Sequence, residues 1–106
     1  MTNKTKSVYT LIVQVGRSKN DGLPAGSTGA GLLCYASGID EPEAVRETVA
    51  ILKQADLAPL DVTGHGTVEA RLTGGEEIGE EELHLMERAE KENSVIVAQM
   101  TPFFEN

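Results

Sequence analysis

Residues 60–72 read Leu60-Asp61-Val62-Thr63-Gly64-His65-Gly66-Thr67-Val68-Glu69-Ala70-Arg71-Leu72, and how they are read decides the fold. Leu60, Val62, Gly64, Gly66, Val68, Ala70 and Leu72 fall on one side of an extended chain, and Asp61, Thr63, His65, Thr67, Glu69 and Arg71 on the other. Successive strand side chains point to opposite faces, so the alternation predicts a strand with one face on a core and one in water. The Gly64-His65-Gly66 centre leaves two forms open. One long bent strand keeps the register unbroken; two short strands joined by a tight turn use the glycine pair as the turn.

Upstream, a helix is predicted from Asp40. Asp40 can cap it, Pro42 is tolerated in a first turn, and Glu43 stands three residues after the cap, as in a capping-box variant. Val45, Val49 and Leu52 recur at i, i+4, i+7, with Ala44, Ile51 and Ala55 widening the stripe, and Pro59 stops the helix near Asp56. Downstream, Gly74-Gly75 is a turn and residues 80–93 form a second helix with Leu83, Leu85, Met86 and Ala89 inward. Residues 94–100 are a last strand, followed by the tail Pro102-Phe103-Phe104-Glu105-Asn106. Near the other terminus, residues 8–15 (VYTLIVQV) are β-branched and aromatic, with Tyr9, Leu11, Val13 and Val15 on one face; Ile12 implies that the second face is also partly covered. Residues 32–37 (LLCYAS) read as a buried strand antiparallel to the first, since no helix lies between them. The intervening 16–31 stretch is glycine-rich and reads as a long loop, with residues 17–29 the most mobile internal segment.

The order β, β, α, β (or hairpin), α, β predicts an α+β two-layer sandwich, with two helices on one face of a four- to five-stranded mixed sheet. The hairpin form makes residues 32–101 βαββαβ, the ferredoxin-like order with an added N-terminal strand. In the other form each helix crosses between parallel strands, and right-handedness puts both on one face. Residues 1–7 are expected to be a disordered tail and residues 8–106 a single α+β domain.

Composition narrows function by exclusion. A chain of 106 residues is near the modal domain size, and 40% hydrophobic with 25% charged residues is ordinary globular usage. No run approaches the roughly 18 apolar residues of a membrane span. Seventeen acidic against nine basic residues, a net charge of −8, argue against a nucleic-acid partner. Cys34 is the single cysteine, which rules out an internal disulfide. Lys4 and Lys6 are not followed by an apolar run long enough for a signal peptide, so a cytoplasmic protein is expected.

Three functional readings remain. The first is a non-enzymatic interaction protein. Residues 76–92 hold eight glutamates against Arg88 and Lys91, and Glu80, Glu81, Glu87 and Glu90 would offer a basic protein partner an acidic face. Phe103 and Phe104, the only phenylalanines, would divide between the core and a partner groove or a homodimer interface. The second is an anion- or small-molecule-binding module using the glycine loop, with Arg17, Lys19, Ser27 and Thr28 as ligands. Its weakness is context: a phosphate cradle usually has a helix behind its N–H groups, and here a strand follows and no Gly-Lys-Ser/Thr occurs. The third is a small enzyme using His65 as a general base on the open sheet face. Glu80, His84 and Glu87 share a helical face, but their spacing matches no established metal motif, so neither a metal nor a cofactor is expected.

Overall fold

A computed structural model describes residues 6–105. The chain runs β1 (Ser7–Gly16), β2 (Ser27–Gly38), α1 (Glu41–Gln54), β3 (Ala58–Thr67), α2 (Val68–Thr73), α3 (Glu80–Glu92) and β4 (Val95–Phe104). The four strands form one sheet in the order β3-β1-β2-β4, with every neighbouring pair antiparallel. The fold is therefore α+β. Of the expected N-terminal tail, residues 1–5 lie outside the described residues, as does Asn106; Ser7 already opens β1.

The connections dictate where the helices go. β1 is antiparallel to both β2 and β3, so β2 and β3 are parallel to each other and α1 is the crossover between them. β3 and β4 are antiparallel and form the two edges, so the chain between them must span the whole sheet. It does so on the other face. Leu11, Val13, Val15, Leu32, Cys34 and Ala36 pack with Ala44 and Leu52 of α1, whereas Val8 and Tyr35 pack with Met86 and Ala89 of α3. Alternation along β1 and β2 assigns these two sets to opposite faces. The expectation of both helices on one face of a mixed, ferredoxin-like sheet is thus corrected. The handedness rule applies only to the α1 crossover, because α3 does not join parallel strands.

Residues 60–72 are corrected as well. They form no hairpin, and the strand ends at Thr67. Its register against β1 slips twice, once around Leu60 and once opposite Thr10, where His65 and Gly66 lie. Thr67 then caps α2, its Oγ1 accepting from the Ala70 N–H at 3.1 Å. The glycine segment also divides differently. Residues 27–31 belong to β2, and Pro102, Phe103 and Phe104 of the expected tail belong to β4, where Phe103 pairs with Gly29 and Phe104 with Ser27.

α1 forms where its cap predicts. Asp40 Oδ1 accepts from the Glu43 N–H at 2.9 Å, and Glu43 Oε1 accepts from the Ile39 N–H at 3.3 Å. Its buried line is Ala44, Thr48 and Leu52, rotated from the purely aliphatic stripe so that Ile51 is left exposed. Thr48 can be buried because its hydroxyl donates to the Ala44 carbonyl at 2.8 Å.

Candidate functional site

The second sheet face is where a recess with chemical character forms. Val8 opens β1 on that face, Val68 opens α2, and Leu83 and Met86 lie on α3. Together they floor a groove of about 280 Å³ between α2 and α3. Its rim is acidic on both sides, with Glu69 from α2 and Glu87 and Glu90 from α3; Lys6 stands at its margin. Lys6 is already engaged, donating to Asn93 Oδ1 at 2.7 Å and lying 4.0 Å from the Glu43 carboxylate. The groove continues round α3 into a broader depression of about 700 Å³ that shares Leu83 and Glu87 with it and adds Glu80, Glu81 and His84. Leu83, expected inward, is 37% exposed and sits between the two recesses.

A polar clamp fixes the groove walls. Arg71 of α2 donates to Thr10 Oγ1 of β1 at 3.0 Å and to Glu76 Oε1 at 3.1 Å, and its guanidinium lies 3.5 Å from Glu82 Oε1 of α3. The Tyr35 hydroxyl donates to the same Glu82 oxygen at 2.6 Å. The Tyr35 bond, helped by the Arg71 charge, holds the Glu82 carboxyl below its usual range. Burial, then the hydrogen bond and charge of Glu82, push the Tyr35 hydroxyl up to about 12. The clamp ties α2, α3, β1 and β2 together where the groove lies between α2 and α3.

The sequence-derived candidates distribute as follows. Glu80, Glu81, Glu87 and Glu90 all lie exposed on α3. Phe103 and Phe104 lie on the edge strand β4, away from the groove. Arg17 is turned onto its own loop: it bonds Asp21 at 3.0 Å, the Ser27 carbonyl at 2.7 Å and Ser27 Oγ at 3.2 Å. Arg17, with the Ser18 and Leu23 N–H groups, lowers the Asp21 carboxyl to about 2. Ser27 is buried and donates to the Pro24 carbonyl at 2.7 Å. Lys19 and Thr28 are exposed. The cation expected to meet an anion therefore serves as a loop clamp. His65 is exposed in the β3 bulge, and the Glu41 carboxylate lies against the neighbouring Gly64. Among the described residues no cluster of three or more His, Cys, Asp or Glu side chains comes together as a metal site.

Val68, Glu69 and the Arg71–Glu82–Tyr35 clamp escaped the sequence reading, because residues 68–72 read as strand. The signal that could have found them is the helix-forming run Glu69-Ala70-Arg71-Leu72 after a cap-competent Thr67. Among the described residues no helix is long and apolar enough to cross a membrane. No curated protein and no solved structure matches the chain significantly. A family model described as domain of unknown function DUF8846 matches residues 8–104, from the first strand to the last; the chain belongs to that family.

Proposed function

We propose that this protein is a non-enzymatic binding protein whose α2–α3 groove receives a basic, amphipathic segment of a protein partner. One observation carries the reading: an apolar floor of Val8, Val68, Leu83 and Met86 is bordered on both sides by carboxylates, Glu69 opposite Glu87 and Glu90. Such a groove complements a helix with an apolar stripe flanked by lysine or arginine. Charge steers the approach, and the floor supplies contact area, at about 25 cal/mol per Å² of apolar surface covered before ordering costs. We place this activity in the cytoplasm, where an unpaired cysteine such as Cys34 is ordinary.

The test uses a defined probe, a helical peptide with leucines at i, i+4 and lysines flanking them, against a control of the same composition with the stripe scrambled. Amide resonances over residues 67–73 and 80–91 should shift for the patterned peptide only. Leu83→Ser should weaken binding with all charges kept, and the Glu87→Lys, Glu90→Lys pair should weaken it with the floor kept. If the scrambled peptide binds equally well, or if Leu83→Ser changes nothing, the acidic helix is a solvated face and the reading fails.

A further inference from the structure

We infer that two copies of this chain associate through the part of the sheet face that α3 leaves bare. The residues of β1, β2 and β4 include no Asp, Glu, Lys, Arg or His, in a chain that carries a net −8. α3 covers one end of its sheet face, over Val8, Tyr35, Ile96 and Ala98. Beyond it, Ile12, Gln99 and Thr101, with Leu33 at the edge of the α3 contact, surround a shallow groove above Gly31. The Phe103 ring lies across Gly31, where a β-carbon would stand 3.2 Å from its Cζ. Ile12 is 40% and Phe103 41% exposed. A sheet face built for water alternates into charged residues; on β1, β2 and β4 this one presents Ile, Leu, Phe, Gln and Thr, and Asp61 enters it only from the β3 edge, opposite Gln14.

Charge selects the occupant. A basic partner is drawn to the carboxylates of α3, not to an uncharged sheet. Two copies at −8 repel one another over most of their surfaces and can approach closely only through an uncharged one. The Phe103 ring overlies Gly31, beside the groove that Ile12 and Thr101 line. A two-fold axis sets each ring towards the partner's groove, as an isologous contact requires. Three strands about 4.8 Å apart and roughly six residues of about 3.4 Å each make a projected area of roughly 300 Å² per copy. That is small beside the roughly 800 Å² per partner of a standard interface, so the dimer is weak and concentration-dependent.

Sedimentation of the full chain from about 5 to about 200 µM, a range suited to a micromolar dissociation constant, should show a monomer–dimer equilibrium. Ile12→Lys and Phe103→Lys should each weaken the dimer more than tenfold while the melting transition persists. A nitroxide on Thr101→Cys gives an independent readout, because the native thiol of Cys34 is 0% exposed and stays unlabelled. A short intermolecular distance from that label supports the interface, including the case in which a lysine variant fails to fold. A monomer throughout the range overturns the proposal. So does a dimer that survives both lysine variants, or one lost instead on changing Val97 and Met100. The groove reading is untouched by any of these results, since it rests on other residues.

Discussion

Tyr35 and Cys34 are adjacent in β2, face opposite sides of the sheet, and are both wholly buried. Burial pushes the Cys34 thiol from 9.0 up to about 11. The Tyr35 hydroxyl moves from 10.0 up to about 12 through burial first and Glu82 second. In each case the folded chain keeps a proton that the unfolded chain has already lost. Between about pH 9 and pH 12 the native state binds more protons, so stability is complete below that window and falls as pH rises through it. Urea midpoints should drop between about pH 8 and about pH 10.5, and Cys34→Ala should remove the early part of the fall and leave the part due to Tyr35. A midpoint that does not move over this range would contradict the assignment. Gly29 makes a different kind of demand. A β-carbon there would run into the Val15 carbonyl oxygen across the β1–β2 pair. Backbone on both sides cannot yield as a side chain could, so Gly29→Ala should cost about 1–3 kcal/mol, read as a lower urea midpoint with an unchanged m-value.

At the scale of elements, α1 and α2 show what the sequence could and could not disclose. Asp40 announces α1 because its carboxylate satisfies the Glu43 N–H, and Asp40→Ala should cost about 1 kcal/mol in chemical denaturation. Thr67 makes the same bond to Ala70, yet α2 stayed hidden. Residues 67–72 alternate polar and apolar as a strand does, and a six-residue helix is too short to show a period of 3.6. The start of β2 was hidden for a related reason. Gly29 and Gly31 are punctuation in a sequence, but here they allow the Val15 carbonyl and the Phe103 ring to come close. Helix placement had a visible clue in the second apolar set of β1, Val8 and Ile12, which leaves a second face to be covered. The site was half legible on the same grounds. Glu87 and Glu90 stand in an obvious acidic run, whereas Val68 and Glu69 join them only once α2 is known to be a helix.

Across the whole molecule, charge is partitioned between surfaces, and ionic strength separates what each surface does. Residues 76–92 carry a net −6 on and beside α3, while β1, β2 and β4 carry none. Raising ionic strength from about 0.1 M to about 1 M shortens the screening distance from about 10 Å to about 3 Å. For a lysine-bearing peptide in the α2–α3 groove the Coulomb term is attractive and acts mainly on encounter, so the association rate should fall steeply and the dissociation rate change less. For two copies meeting at the sheet face the term is repulsive, so the same salt should tighten the dimer. Reversing Glu87 and Glu90 to lysine should move both quantities in the directions that salt does. It removes attraction for the peptide and lowers net repulsion between copies from −8 to −4 per chain. The melting temperature should hold, because both side chains are exposed and surface changes usually shift stability by less than about 0.5 kcal/mol. Stopped-flow binding and sedimentation on the same preparations check the pair of signs. A dimer that weakens with salt, or a peptide on-rate indifferent to it, breaks the division of labour between the charged helix and the uncharged sheet.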